Sequence, residues 1–354
     1  MDRMFWKSLG CLALVLALHG PARASDATPI LVVDVANDQV LHAEEAGRPW
    51  FPASTTKLMT AFVTFEAIRG GRVSLETPVV LSKHAASQKF LDSGLHVGST
   101  MTMEDALFAM ISGSTNDVAM AIAETVAGSE EAFVKSMNDA ARRLGMTGSR
   151  FVNPNGLFDR RQKSTARDMA LLGIAIDRQF PQYRRFFETS AVVIDGKTVE
   201  SHNELLTRFD GARGLKTGYL CASGNNVVAL AERGGRQVMV VVMGATTERE
   251  RNERAAMYLT QAFTGELSPD NTTLSALAND TRRSPPDMRA KQCGEQTRDY
   301  ERMRDAAYPM GLPGQTSYLA QAEAAKKVRQ ITTWLTPSPA KPEKTSTSAK
   351  PKRG

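Results

Sequence analysis

Strand-like segments lie near both ends of the chain and enclose a long stretch with helical patterns. The segment "ILVVDVANDQVLHAEEA" has two apolar runs on either side of Asn37 and Asp38, a pattern typical of a β-hairpin. A second pair of runs, "NNVVALAE" and "RQVMVVVMGA", flanks "RGG". Both pairs must bury an apolar face. The arrangement therefore predicts one sheet assembled from distant segments, with a helical subdomain inserted between them.

Four stretches between about residues 100 and 190 have helical character and are separated by Gly or Pro: "MTMEDALFAMISG", "NDVAMAIAETVAG", "SEEAFVKSMNDAARRLG" and "TARDMALLGIAIDR". An earlier helix is predicted to begin at "PASTTK", where Leu58, Phe62, Phe65 and Ile68 recur at helical spacing and indicate one buried face. A last helix is predicted over "RERNERAAMYLTQAF".

The first residues do not belong to the folded core. A short charged start precedes an apolar run from Leu9 to Leu18, which is too short to span a bilayer as a stable helix. The small-x-small pattern ending at Ala24 predicts a secretory signal that is removed before Ser25. We therefore expect an exported protein of the periplasm or cell envelope, with an uncleaved signal anchor as the alternative.

The formal net charge of +6 lies at the two ends of the chain. Both the signal segment and the tail 338–354 are basic, whereas residues 25–337 carry equal numbers of basic and acidic side chains. The charge thus gives no argument for a nucleic-acid surface. The tail is rich in Pro, Ser, Thr and Lys and is predicted to be disordered.

Cys221 and Cys293 are the two thiols of the predicted mature chain. They could form one bridge in an oxidising compartment, although Cys293 lies in a polar segment that need not approach Cys221. The spacing of Cys and His indicates no metal site, and neither a metal nor an organic cofactor is predicted.

The periodic pattern fades after Gly265. Residues 25–265 are predicted to be the catalytic domain and residues 266–337 a polar, partly helical extension without a β-rich second domain. Within the extension, "TSYLAQAEAAKKVRQITTWL" is predicted to be one helix with a narrow apolar face. That face suggests a weak contact with a membrane surface, and the alternative is a helix docked on the body.

A serine and a lysine stand three positions apart where the "PASTTK" helix begins. On a helix, Ser54 and Lys57 share a face, so the amine can remove the hydroxyl proton if its pKa is lowered. Free backbone N–H groups at a helix start can also stabilise an oxyanion. Considered alone, the pair is more typical of an ordinary helix start than of a catalytic site.

Two further elements favour the catalytic interpretation. Ser114, Thr115 and Asn116 lie at a junction between predicted helices, and Lys216, Thr217 and Gly218 lead into the second set of strands. Alone, Asn116 could be a helix cap and Thr217 a strand residue. The order of the three elements is that of penicillin-binding proteins and serine β-lactamases, and together they match a complete acyl-transfer site.

With these motifs, residues 28–265 resemble the D-alanyl-D-alanine carboxypeptidases, which are the low-molecular-mass penicillin-binding proteins. Further landmarks are "NPNGL", "STARDMALLG", "NELL" and "VVVMGA". The resemblance implies an α/β (α+β) fold of the DD-peptidase and serine β-lactamase type. In that fold a five-stranded antiparallel sheet carries helices on both faces and an inserted helical subdomain, with the active site in the cleft between them.

The resemblance also implies roles for the first two motifs. Ser54 matches the nucleophile that forms an acyl-enzyme, and Lys57 matches the base that activates it. Ser114 matches the hydroxyl that passes a proton to the leaving D-alanine. Asn116 matches the amide that holds the substrate backbone.

For the third motif, the resemblance implies that Lys216 and Thr217 order the site and receive the terminal carboxylate. Gly218 is expected because a side chain there would obstruct a substrate lying along the strand. The backbone N–H groups of Ser54 and Tyr219 match the oxyanion hole.

Arg251 matches an arginine that helps to recognise the free carboxylate in the family, and a guanidinium suits that planar group. For Arg251, as for the neighbouring Arg249 and Arg254, the alternative is a solvated helix face. His42, His84, His96 and His202 show no comparable pattern and are expected to be surface or packing residues.

The predicted activity is that of a serine D,D-carboxypeptidase acting on peptidoglycan stem peptides, with β-lactams as covalent inhibitors. A D,D-endopeptidase is the alternative, which the missing β-rich second domain favours. A class A β-lactamase would need a glutamate in a Glu-x-x-Leu-Asn segment, and the nearest candidate, Glu200, lacks the right neighbours. A catalytically silent wall-binding protein would have no chemical need for the complete set of motifs.

Overall fold

The computed structural model describes residues 27–269, 271–321 and 323–335. The predicted signal peptide and basic tail therefore lie outside the described residues. The strands are β1 (Ile30–Asp34), β2 (Gln39–Glu44), β3 (Pro78–Val80), β4 (Ser99–Thr102), β5 (Ala191–Ile194), β6 (Lys197–Glu200), β7 (Ala212–Leu220), β8 (Gly224–Arg233), β9 (Arg236–Ala245), β10 (Val328–Ile331) and β11 (Trp334–Leu335).

The helices are α1 (Lys57–Arg69), α2 (Lys83–Ala86), α3 (Met103–Ile111), α4 (Asn116–Ala127), α5 (Glu130–Arg143), α6 (Ala166–Gln179), α7 (Arg184–Glu188), α8 (Leu205–Arg208), α9 (Glu248–Thr264), α10 (Arg289–Gln292) and α11 (Thr297–Ala307). Short 3-10 turns cover Ala53–Thr56, Pro181–Tyr183 and Leu274–Ala276. No helix within the described ranges is both long and apolar enough to cross a membrane.

A five-stranded antiparallel sheet in the order β2-β1-β9-β8-β7 is the centre of the fold. The β1–β2 hairpin from the start of the chain joins the β8–β9 hairpin through β1 and β9, as the sequence predicted. This leaves β7 at one edge of the sheet. The predicted fold class is thereby confirmed.

Apolar side chains cover both faces of the sheet, so helices pack on each. Helix α9 lies on one face, where Leu259 and Ala255 pack with Val240 and Val227. The larger core on the other face contains α1, α3, α4 and α6. Helices α3 to α5 form the inserted subdomain, and the site lies where that subdomain meets β7.

Helix α1 differs from its prediction. The spacing indicated one buried face, but every residue from Lys57 to Phe65 is buried. Helices α3, α4, α5 and α6 surround it, so α1 is a central helix of the fold. Because its first residue is a buried lysine, the fold places an amine in a low-dielectric environment.

The prediction of a helix over residues 316–335 is wrong. No helix is assigned at 316–321 or 323–335, and β10 and β11 occupy part of this segment. Strand β10 pairs in parallel with β5, and β11 pairs with β4. The amphipathic helix that suggested a membrane contact is therefore not formed.

Side chains from beyond residue 265 enter the same two cores as the rest of the chain. Leu274, Met288 and Tyr300 belong to the larger core, and Leu319 belongs to the core under α9. The predicted boundary at residue 265 remains a prediction, but the described part of the extension has no core of its own.

A buried ionic cluster joins the extension to α9. The Glu250 carboxylate accepts hydrogen bonds from Arg254 on the same helix at 3.0 Å and from Arg304 of α11. Its second oxygen accepts from the backbone N–H of Thr246 at 2.8 Å. Burial alone would raise the pKa of Glu250, but the bonds and charges of the two arginines outweigh it and hold the pKa below its ordinary value.

Glu250→Gln is expected to destabilise the protein by about 3 to 5 kcal/mol, because it leaves two buried guanidinium groups without their counter-charge. Urea unfolding of the purified protein measures the change. Glu295→Gln, at an exposed position of the same extension, is the matched control and should stay within about 0.5 kcal/mol of wild type. A loss below about 1 kcal/mol at Glu250 would show that the cluster does not hold the extension in place.

Candidate active site

Ser54 lies in the 3-10 turn Ala53–Thr56 that precedes α1. The sheet holds this turn in place, because the side-chain amide of Asn226 on β8 donates to Phe51 O at 3.0 Å and to Pro52 O at 3.2 Å. Ala53 has a φ of 50°, a strained value for a residue with a Cβ. The serine is thus carried on a rigid, strained turn in contact with β8.

The Lys57 amine lies beside the Ser54 hydroxyl, with 3.0 Å between Nζ and Oγ. Nζ also donates to Asn116 Oδ1 at 2.7 Å and to Asn155 O at 2.7 Å. A neutral amine has two N–H groups and one lone pair. The two protein acceptors can take both N–H groups, which leaves the lone pair for the Ser54 proton.

Burial lowers the pKa of Lys57 well below its ordinary value, and the positive charge of Lys216 lowers it further. The Asp117 carboxylate acts in the opposite direction but does not cancel the effect. Much more of this amine is therefore neutral near pH 7 than for a solvated lysine. The lowered pKa that Lys57 would need in order to take the Ser54 proton is therefore present.

Ser114 and Asn116 approach from the inserted subdomain. Ser114 is buried in the link between α3 and α4, with a φ of 57°. Asn116 is the first residue of α4. Its amide group donates to Lys89 O at 2.9 Å and Phe90 O at 2.6 Å while its oxygen accepts from Lys57. The second motif thus ties the subdomain to the amine.

The third motif lies on β7, the edge strand nearest the Ser54 turn. Lys216 is fully buried and its Nζ donates to Thr217 O at 3.1 Å. Burial, followed by the charge of Arg251, lowers the pKa of Lys216 to about 7. The side chain of Tyr219 is half-exposed. An edge strand offers free backbone groups to an extended peptide.

The structure gives a reason for Gly218 that adds to the one expected. A Cβ at this position would lie 2.7 Å from Ser54 N and 2.8 Å from Thr55 N. The clash would be with the backbone of the Ala53–Thr56 turn, before any substrate is present. Gly156 has the same function on the other side, since its Cβ would lie 2.0 Å from Ala53 O.

The three arginines of α9 are not on a solvated helix face. Arg251 is buried, donates to His202 O and Asn252 Oδ1, and still lines the cleft. Arg254 is in the Glu250 cluster, and Arg249 binds Asp305 of the extension. Of the three, Arg251 therefore has the position expected of a carboxylate-binding group.

The predicted site residues converge on one cavity of about 880 Å³. Seven of them line it, namely Ser54, Ser114, Asn116, Thr217, Gly218, Tyr219 and Arg251. Lys57 and Lys216 lie beneath the lining and connect to it through Ser54 and Thr217. The walls are mainly apolar, with Phe90, Leu91 and Phe158 among them.

Cys221 and Cys293 form a disulfide with their Cα atoms 5.6 Å apart. Cys221 directly follows β7 and Cys293 directly follows α10. The Tyr219 hydroxyl lies 3.1 Å from Cys293 Sγ. The sequence left the approach of these residues open, and the structure shows that the bridge fastens the extension to the cleft.

Several residues of the site were missed. Asn155 gives Lys57 a backbone acceptor, Asn226 holds the turn that carries Ser54, and Phe158 and Arg289 line the cavity. Asn155 and Gly156 lie in "NPNGL", where the Asn-Gly pair is typical of a turn but indicates no part in the site. No local pattern marked Arg289.

Comparison with known proteins agrees with this geometry. The sequence profile of the D-alanyl-D-alanine carboxypeptidases of peptidase family S11 matches residues 17–247. The chain is 32% identical over 245 residues to the D-alanyl-D-alanine carboxypeptidase DacF of Bacillus subtilis, covering 68% of this chain and 63% of DacF. It thus spans less than two thirds of that relative. It is 29% identical to the D-alanyl-D-alanine endopeptidase of Escherichia coli, covering 75% of this chain and 91% of the relative.

Solved structures show the same fold. The D-alanyl-D-alanine carboxypeptidase DacD of Francisella tularensis superposes with a TM-score of 0.66 at 25% identity, covering 68% of this chain and 71% of that one. Penicillin-binding protein D2 of Listeria monocytogenes, with ampicillin bound, gives 0.59 at 30% identity, covering 67% and 97%. The chain belongs to the D-alanyl-D-alanine carboxypeptidase family, and the resemblance seen in its motifs is confirmed.

Proposed function

We propose that the protein is a serine D,D-carboxypeptidase that removes the terminal D-alanine from peptidoglycan stem peptides. The observation that carries the proposal is the Lys57 amine, which is buried, has a lowered pKa and lies 3.0 Å from Ser54 Oγ. Family membership and the likeness to carboxypeptidases over the catalytic region support it.

In the acylation step, Lys57 accepts the Ser54 proton while Oγ attacks the carbonyl between the two D-alanines. The backbone N–H groups of Ser54 and Tyr219 stabilise the oxyanion. Ser114 passes a proton to the leaving amine, and Asn116 holds the substrate backbone. Water then releases the shortened peptide from Ser54.

The terminal carboxylate of the substrate binds at Lys216, Thr217 and Arg251. Two buried cations lie there close enough for Arg251 to lower the pKa of Lys216. A bound carboxylate would offset the like-charge repulsion between them. This is the reason to expect a carboxypeptidase, since the site offers a counter-charge for a free C-terminus.

We propose that β-lactams acylate Ser54 and that the resulting acyl-enzyme is hydrolysed slowly, so that they inhibit the protein. Glu200, the nearest candidate for a lactamase glutamate, lies on β6 and pairs with Lys326 at 2.8 Å, away from the cavity lining. The one carboxylate that lines the described cavity is that of Glu248, which pairs with His202 and Arg251. The described part of the cavity therefore offers no unpaired carboxylate to drive water onto the penicilloyl-enzyme, as a class A lactamase requires.

The test incubates the purified protein with uncrosslinked pentapeptide muropeptides and, separately, with crosslinked dimers. We expect monomers to lose one alanine and dimers to remain intact, as followed by mass. Protein treated first with benzylpenicillin is the control and should do neither.

A D,D-endopeptidase is the second candidate, because the chain covers 91% of the length of the endopeptidase relative and only 63% of DacF. The same residues would act on a crosslinked peptide. Conversion of dimers to monomers as the main reaction would establish this activity in place of the carboxypeptidase.

The dependence of kcat/KM on pH is expected to be bell-shaped. Activity should rise as Lys57 loses its proton and fall as Lys216 loses the charge that binds the carboxylate, with the alkaline limb near pH 7. Burial is the main cause of the lowered pKa of Lys216 and the charge of Arg251 adds to it, so Arg251→Gln should raise that pKa and move the limb to higher pH. Rates measured between about pH 5 and pH 9 test this prediction. An alkaline limb that did not move would show that it does not report the titration of Lys216.

We further propose that the protein is exported through the segment ending near Ala24 and acts in the periplasm or cell envelope. Its family membership supports a site of action at the cell wall. A membrane-surface contact is not part of the proposal. Mass analysis of the protein from envelope fractions would show Ser25 as the first residue if the signal is cleaved there.

A further inference from the structure

The extension supplies a side chain to the cleft from outside the region matched by the family profile. Cys293 is bonded to Cys221, and Met288 N donates to Ala222 O at 3.1 Å, so α10 is docked against the turn after β7. Arg289, the first residue of α10, lines the same cavity as Ser54.

The Arg289 guanidinium is held in a defined position. It stacks over the ring of Phe158 at 5.0 Å. Its Nε lies 2.9 and 3.0 Å from the two carboxylate oxygens of Asp287, and Nη2 also bonds to Asp287. These contacts use the Nε and Nη2 atoms and leave Nη1 for a ligand. The side chain remains half-exposed to the cleft.

The order of groups along β7 fixes which part of a substrate Arg289 can meet. Lys216 and Thr217 come first, Gly218 lies against Ser54 N, and Cys221 follows the strand. If the terminal carboxylate binds at Lys216, the leaving alanine lies at that end. The remainder of the stem peptide then passes Gly218 and extends toward Cys221 and Arg289.

We propose that Arg289 is a specificity-determining residue that binds a carboxylate of the stem peptide on the acyl-donor side of the scissile bond. The proposal rests on the proposed function, because it needs the peptide to lie along β7 in that direction. The carboxylate belongs either to the residue next to D-Ala-D-Ala or to the residue before that one.

The surroundings of Arg289 strengthen such a contact. The ring of Phe158 covers one face of the guanidinium while the rest of the side chain stays accessible to a ligand, and a charge-assisted hydrogen bond is stronger than a neutral one. Asp287 already neutralises part of the charge, so we expect an effect of about tenfold, less than an unpaired arginine would give. The disulfide and Asp287 keep the group in place before the substrate arrives.

The test uses two matched pairs of acetylated peptides ending in D-Ala-D-Ala. One pair has glutamate or glutamine next to D-Ala-D-Ala, and the other has them one residue further away. Wild type should prefer glutamate by about tenfold in kcat/KM in one pair, which identifies the source of the carboxylate. Arg289→Gln should abolish that preference and leave the glutamine peptides within about twofold.

Arg302→Gln is the matched control, because it makes the same charge change on exposed α11 outside the cavity lining. It should keep the preference. The proposal is overturned if wild type shows no preference in either pair, or if Arg289→Gln slows both members of a pair equally.

Acylation by labelled benzylpenicillin separates this proposal from the proposed function. Protein that neither acylates nor cleaves any peptide would refute the proposed function itself. If the protein is acylated by benzylpenicillin but cleaves no peptide, each peptide can instead be tested for protecting Ser54 from acylation. The glutamate and glutamine peptides of a pair should then differ in protection by the same ratio. Acylation of Arg289→Gln at the wild-type rate shows an intact site.

Discussion

Ser54→Ala is expected to abolish both labelling by benzylpenicillin and hydrolysis of D-Ala-D-Ala peptides, with a loss of about 10⁶ in rate. The substitution removes the atom that forms the covalent bond, and the neighbouring amine cannot replace it because Lys57 Nζ is enclosed by Asn116 and Asn155. The backbone N–H of residue 54 remains, so the variant should still bind substrate.

The result is informative because the fold should be retained. The Ser54 hydroxyl contributes one hydrogen bond at the edge of a cavity, so the melting temperature should stay close to wild type. Ser136→Ala, which removes a hydroxyl from the surface of α5, is the matched control and should label normally. Labelling that persisted in Ser54→Ala would exclude Ser54 as the nucleophile.

The two hairpins of the central sheet and the main helices could be predicted because each is long enough to show its own periodicity. The turns at Asn37–Asp38 and Gly234–Gly235 marked both hairpins, and the strands beside them have five to ten residues. Strands β3 to β6 have three or four residues, which is too short for alternation to be recognised. They were therefore not predicted.

The C-terminal segment was misjudged because local propensity disagreed with tertiary pairing. The run of Ala, Glu and Lys around residues 319–327 favours a helix. In the structure, Val328–Ile331 pairs with Ala191–Ile194, a strand far earlier in the chain. Such a partner leaves no mark in the local pattern of either segment.

The site also divides into residues that local sequence could predict and residues that depend on tertiary contacts. Short motifs contain Ser54, Lys57, Ser114 and Lys216, because the chemistry that we propose for them needs particular side chains at fixed spacing. Asn155 contributes to the Lys57 environment through a backbone carbonyl, which any residue type could supply. Arg289 reaches the cleft only because a disulfide and a docked turn bring it there. Roles that depend on backbone atoms or distant docking could not be predicted from residue types.

Lys57→Gln is expected to slow acylation by about 10³, within the usual range for losing a general base. A solvated lysine is neutral in only about one molecule in a thousand near pH 7.4. Burial, helped by the charge of Lys216, lowers the pKa of Lys57 and removes much of that penalty. Glutamine keeps an N–H donor for Asn155 O or Asn116 Oδ1 but has no basic lone pair. The acylation rate with benzylpenicillin measures the effect.

The pH profile distinguishes loss of the base from simple disruption of the site. In wild type the acylation rate should rise with pH as the Lys57 ammonium loses its proton, since a lowered pKa brings this limb below the range of ordinary lysines. Lys57→Gln should be slow and lose this limb, whereas a merely distorted site would be slow but keep it. Lys135→Gln, at an exposed position on α5, should retain both rate and profile. If the acylation rate of Lys57→Gln still rose with pH, the base would be another group. Lys216 would be examined first, because it is a nearby buried amine whose pKa is also lowered.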